Sequence, residues 1–115
     1  MKVLKVNNKD YIIKFTSKAI QELNAHDITL IGLMNDLESM RVDRLYTAFT
    51  YGLKAMQHDI TEEKALSIID DFYEEDENND IEKFFYLVVG EYSKAMGLGK
   101  KFKELLANKE QMTQE

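Results

Sequence analysis

The 115-residue chain contains no cysteine, no proline and no tryptophan, and only five glycines. Without cysteine there is no disulfide framework, thiolate nucleophile, thiolate zinc site or thiol redox centre, a composition that suits a reducing compartment. Without proline, and with so little glycine, the usual punctuation of a many-stranded fold is missing, and long helices are favoured. Long hydrophobic runs are absent as well. The longest, Phe84 to Val89, spans six residues, far short of the ~20 that cross a bilayer. The opening residues, Met1 to Phe15, alternate lysines with apolar side chains and lack the continuous apolar stretch of a signal peptide. The expected location is therefore the cytoplasm, with no membrane contact.

Surplus positive charge is also lacking. The formal net charge is −6, and residues 61–82 hold ten acids against Lys64 alone. Nucleic-acid affinity depends on clustered cations that displace condensed counterions, so this acidic stretch argues against a DNA or RNA partner. Lysines do gather at the two ends, four of them in residues 1–15 against Asp10 and four in residues 100–109 against Glu104. For Lys100, Lys101 and Lys103 a solvated helix end is the simpler reading, since cations favour helix C-termini and water.

What is present reads as one domain, since a chain of this length buries roughly two thirds of its unfolded surface and needs no covalent staple. Val3 to Val6 and Tyr11 to Phe15 are short β-prone runs separated by Asn7-Asn8-Lys9-Asp10, residues suited to a tight turn, and they predict a β-hairpin. Helices follow. Thr16 or Ser17 caps the first, over Ser17 to Ala25; Thr29 caps a second that ends near Met40; Asp43 opens a third that exits at His58 and Asp59. Thr61-Glu62-Glu63 starts a fourth, which dissolves in the acidic run from Glu74 to Asn79, and Asp80 caps a fifth that Gly97 closes. The predicted fold is mainly α, a small N-terminal β-hairpin followed by a bundle of about five helices. The domain covers residues 1–98, with the hairpin in about 1–15, and residues 99–115 form a charged, partly disordered tail.

No constellation of reactive residues survives comparison with its structural explanation. Asp76, Asn78 and Asp80 match positions 1, 3 and 5 of a calcium loop, but the required glycine is Ile81 and the bidentate glutamate is Leu87, which leaves a solvated acidic loop. Asp70, Asp71, Glu74 and Glu75 pair at helical spacing, yet helical di-metal sites also bring histidines three residues on, so an outer helix face is the better explanation. His26 and His58 sit beside Asp27 and Asp59 at helix exits, and no serine lies in a nucleophile-elbow context. Gly97-Leu98-Gly99 follows a helix instead of joining a strand to one, so it is not a phosphate loop. The chain is expected to be no enzyme and to hold no metal and no cofactor.

The fifth helix is more informative. With six apolar residues in a row, some side chains must point away from any single neighbour. Either the helix is buried between two layers of the core, or it offers an exposed apolar strip to another helix or to a second copy of the chain. The methionines at 34, 40, 56 and 96 suit both readings.

The opening block, Val6-Asn7-Asn8-Lys9-Asp10-Tyr11-Ile12-Ile13-Lys14-Phe15-Thr16 followed by Ala19-Ile20-Gln21-Glu22-Leu23, resembles the start of tail assembly chaperones from long-tailed bacteriophages and prophages of Gram-positive bacteria. In that family a small hairpin ending in an aromatic residue leads directly into a helix. The later order of two helices, an opening such as Asp59-Ile60-Thr61-Glu62-Glu63, an acidic helix and an apolar one is similar too, so the resemblance covers roughly residues 1–96. It implies a non-structural factor of the bacterial host cytoplasm, absent from the mature virion, that binds and solubilises the tape measure protein during tail tube assembly. The tail tube protein and a second copy of the chain are further candidate partners. On this reading Phe85, Val89, Tyr92 and Met96 are the expected partner-binding residues. The alternative from another class is a small acidic regulator or inhibitor, a nucleic-acid mimic or anti-repressor, that uses residues 70–82.

Overall fold

A computed structural model describes the backbone of residues 1–114 and the side chains of residues 1–104, 106 and 107. A two-stranded antiparallel hairpin, β1 (Lys2–Val6) and β2 (Lys9–Ile13), precedes six helices among the described residues: α1 (Ser17–Ala25), α2 (Leu30–Glu38), α3 (Asp43–Lys54), α4 (Glu62–Glu75), α5 (Ile81–Ala95) and α6 (Gly99–Gln114). The chain is thus mainly helical with an N-terminal hairpin, as its patterning predicts.

Local side-chain chemistry sets the helix starts. The hydroxyls of Thr16, Thr29 and Thr61 accept hydrogen bonds from the amides of Ala19, Gly32 and Lys64 at 3.0–3.1 Å, and the Asp80 carboxylate accepts one from Lys83 at 2.9 Å. Each satisfies an amide that has no partner within its helix, which stabilises a helix by about 1 kcal/mol. Helix α3 begins differently, without a side-chain cap at Val42. There the Arg41 guanidinium grips Asp43 through Nε at 2.9 Å and Nη2 at 3.2 Å.

The hairpin turn is shorter than the asparagine-rich stretch suggests. Asn7 and Asn8 both adopt left-handed backbone angles, φ 51° and 63°, as a two-residue type I′ turn demands. Pairing therefore resumes at Lys9, in the register Val6 to Lys9, Leu4 to Tyr11 and Lys2 to Ile13. Leu4, Val6, Ile13 and Phe15 point inward and are buried.

Helix α3 is the hub and packs against α1, α2, α4, α5 and β2. Its approach to the hairpin is possible because position 52 has no side chain: a Cβ there would lie 2.9 Å from Phe15 Cζ and 3.2 Å from Ile13 Cγ2. At that contact the Lys14 amide donates to the Gly52 carbonyl at 2.9 Å. Beyond it lies an aromatic cluster centred on Phe84, whose ring is 5.0 Å from Phe49, 5.7 Å from Tyr46 and 5.9 Å from Phe72. Such tilted and edge-on pairs add about 0.5–1.5 kcal/mol each beyond the area they bury.

Two boundaries differ from expectation. The third helix stops at Lys54 instead of running to His58, because the chain reverses there and sends Gln57 back to the hairpin. Residues 99–114 form a helix, where a charged tail was expected. A reversal at Gly97, φ 74°, brings α6 against α5, and burial of Phe102 with partial burial of Leu106 holds it there. Of the stretch 99–115, expected to be partly disordered, Glu115 and the side chains of residues 105 and 108–114 lie outside the described residues.

The Tyr46 and Tyr73 hydroxyls lie 3.1 Å apart. Burial, reinforced by that hydrogen bond, pushes the Tyr73 phenol far above its ordinary range, and burial raises Tyr92 as well. Both raised values mean that the folded chain resists losing these protons while the unfolded chain does not. The associated stability is intact below about pH 10, the ordinary tyrosine value, and declines as pH climbs past it. Urea midpoints should hold constant on the neutral side and fall in strong alkali, with a shallower fall in Tyr73→Phe.

A second expectation concerns close packing. Gly52→Ala should lower stability by about 1–3 kcal/mol through forced displacement of Phe15 and Ile13. Gly90→Ala, whose new Cβ would meet only Phe102 Cε1 at an ordinary 3.7 Å, should raise stability by about 0.5–1 kcal/mol through helix propensity. Thermal melts of the two variants check the contrast.

Candidate functional site

Helix α5 lies across the middle of the bundle, against α2, α3 and α6. Phe85, Val89 and Tyr92, expected to meet a partner, are in fact core residues, 3%, 0% and 1% exposed. The other layer is supplied by the rest of the fold: Tyr92 stacks on Phe15 at 5.3 Å, and its hydroxyl donates to Asn24 Oδ1 at 3.3 Å. Met96 alone of the four is at the surface, 44% exposed. The buried-between-layers reading of this helix therefore holds for the stripe from Phe84 to Tyr92, and the exposed strip moves elsewhere.

It moves to the face carrying Lys83, Tyr86, Leu87, Gly90, Glu91 and Lys94. A groove of about 540 Å³ runs between this face and strand β1, lined by Lys2, Val3, Leu4 and Lys5 on one wall, with Phe72 and Asn79 at its end. Tyr86, Gly90 and Glu91 also line a second hollow of about 520 Å³ between α5 and α6, where Phe102 and Leu106 supply the apolar lining. Both volumes lie in the range of binding sites for small molecules or short peptide segments. Lysines border the furrow throughout: Lys2, Lys5 and Lys83 around the first part, Lys94, Lys100 and Lys103 around the second. Its carboxylate, Glu91, is largely buried and already lies 3.1 Å from the Met1 ammonium and 3.8 Å from Lys94 Nζ.

The two edges of the hairpin are unequal. A two-residue turn makes Val6 and Lys9 a hydrogen-bonded pair, so by alternation Leu4 and Lys2 also face β2, while the N–H and C=O groups of Val3 and Lys5 point outward. On β2 the outward groups are those of Asp10, beside the turn, and Ile12, and both of Ile12's are taken. Its amide donates to Gln57 Oε1 at 2.7 Å, and its carbonyl accepts from Gln57 Nε2 at 3.0 Å. The Gln57 side chain thus stands in for a third strand. On β1 the turn end is tied by the Asn7 amide to Glu75 Oε1 at 3.1 Å; Val3 and Lys5 have no comparable partner among the described residues.

Of the residues considered for metal or acid–base chemistry, Asp76 and Asp80 serve the backbone, and Glu75 accepts from the Asn7 amide. Asp76 Oδ1 accepts from the Asn78 amide, Asn79 Nδ2 donates to the Phe72 carbonyl, and Asp80 caps α5. No group of three or more histidine, aspartate or glutamate side chains among the described residues is arranged to hold a metal ion. His26 ends α1 and tilts over Tyr51 at 6.2 Å. His58 lines a smaller hollow of about 270 Å³ with Thr16, Glu22, Tyr51 and Lys54. No helix among the described residues is long and apolar enough to cross a membrane.

The furrow was partly readable in advance. Once Phe84, Phe85, Val88, Val89 and Tyr92 are assigned to one stripe, helical spacing leaves Lys83, Tyr86, Leu87 and Gly90 on the other side. The strand wall was not readable, because it depends on which hairpin edge turns outward. No family model matches the chain, and no curated protein or solved structure matches it either.

Removing the Gln57 stopper should cost about 1–3 kcal/mol, because Gln57→Ala leaves both Ile12 backbone groups without their partner in a half-buried place. Hydrogen exchange at the Ile12 amide should quicken while exchange at Leu4 stays nearly unchanged; unchanged exchange at Ile12 would contradict the closed-edge assignment.

Proposed function

We propose that this chain acts by binding another protein and not by catalysis, as an assembly factor of the tail chaperone kind that keeps the tape measure protein soluble while tail tube subunits polymerise around it. The observation that carries the reading is the pair of adjoining, partly apolar hollows along α5, bordered by lysines on a body of net charge −6. A long apolar partner segment seated there is shielded from its own kind, and the surrounding charge keeps the complex in solution. The opening block supports it too, since a hairpin ending at Ile13, followed by Phe15 and then α1, has the arrangement that the resemblance implies. Large apolar side chains exposed elsewhere, Ile31, Met40 and Met56 among them, add adaptable surface. The work is done in the host cytoplasm, and the factor is left out of the finished particle.

Co-expression with the tape measure protein of the same genome tests this directly. The two should co-purify, and the tape measure protein should be less soluble alone. Leu87→Asp, which places a charge in the furrow at a half-buried position on the margin of the core, should cut recovery of the complex at least about tenfold with an unchanged circular dichroism spectrum. No co-purification, together with equal solubility of the tape measure protein by itself, rejects the proposal.

A further inference from the structure

We infer that the outer edge of β1 takes up an extended, acidic segment of a partner protein as a third strand. This goes beyond the assembly role proposed above and holds whatever the partner is called, because it follows from the edge itself.

Three observations converge on the edge. The first is backbone chemistry: the N–H and C=O groups of Val3 and Lys5 face outward in the ladder alternation, and none of the described residues hydrogen-bonds them, whereas the corresponding groups of Ile12 are closed by Gln57. A row of free donors and acceptors is a template for an incoming strand. The second is space. The 540 Å³ groove lies along this strand, so a paired segment has room on its inner face for side chains over Leu87, Tyr86 and Gly90. The third is charge. Lys2, Lys5 and Lys83 all line the groove, Lys2 from the Leu4 face of the strand and Lys5 from the opposite face, while the single carboxylate among the lining residues, Glu91, lies beside the Met1 ammonium and Lys94. Apolar side chains in the groove alternating with carboxylates near the lysines describe the complementary segment.

The same lysines disfavour a second copy as the occupant, since edge-to-edge pairing would gather the lysines of both chains on one short ribbon. A basic segment meets the same repulsion. An acidic segment in extended form is the partner that the edge accepts.

The test uses the full-length chain labelled with ¹⁵N and a synthetic peptide of alternating valine and glutamate, beside its valine–lysine counterpart and a version of the first N-methylated on alternate amides. The valine–glutamate peptide should shift and protect the Val3 and Lys5 amides saturably. The lysine peptide should leave them unchanged, and N-methylation on the pairing edge should abolish the effect. Val3→Pro removes an outward amide without touching a hairpin hydrogen bond, so it should block binding with the Leu4 to Tyr11 pairing intact. Lys5→Glu should weaken binding at least about tenfold and serves where the proline variant fails to fold. Binding without response at Val3 and Lys5, equal binding of the lysine peptide, or a free chain already paired through β1 in solution each overturns the inference.

Discussion

The missing side chain at position 52 governs how the rest of the molecule is arranged. Because no Cβ intervenes, Phe15 and Ile13 lie directly on α3, and the Lys14 amide reaches the Gly52 carbonyl. A two-stranded hairpin is marginal in water by itself. Here it gains the burial of Leu4, Val6, Ile13 and Phe15, each contributing about 1.5–3 kcal/mol as an upper bound. The contact also decides polarity. With β2 laid on α3, its outer edge falls within reach of Gln57, and β1 is necessarily the strand left facing out.

What was legible in the sequence follows the range of the interactions involved. Threonine at 16, 29 and 61 and aspartate at 80 announce helix starts because a cap bond spans three residues, and all four are found capping. The hairpin was legible from its asparagines, though only the left-handed angles at both Asn7 and Asn8 show that the turn takes two residues. Helix α6 was not legible, since its composition is that of a charged tail and its attachment rests on Phe102 and Leu106 finding α5. Gln57 was invisible for the same reason. Nothing near it in the chain signals that it will complete the hydrogen bonding of Ile12, 45 residues away.

The candidate site was half legible. Six consecutive apolar residues in α5 correctly signalled more than one apolar face, but periodicity does not say which face the fold will cover. Phe85, Val89 and Tyr92 share the stripe that meets the densest part of the bundle, where Tyr92 also hydrogen-bonds Asn24, so that stripe is enclosed. The weaker stripe, interrupted by Gly90 and flanked by Lys83 and Lys94, is the one left at the furrow. A helix with two apolar faces thus buries the larger in the core and leaves the smaller lining the furrow.

Charge distribution determines how selective that smaller face is. The body as a whole is acidic, so an acidic partner segment is repelled at long range. In physiological salt, however, charges are screened over about 8 Å, and the repulsion from the carboxylates of α4 and the following loop fades with distance. Close pairs formed with Lys2, Lys5 or Lys83 would be partly shielded from water by the groove and lose less to screening. The consequence is that general acidity brings a partner no advantage: its carboxylates must arrive in register with the lysines while its backbone meets the edge of β1. Net repulsion outside and local attraction inside together favour a matched segment over any acidic chain, which is how a surface with few charged contacts achieves specificity.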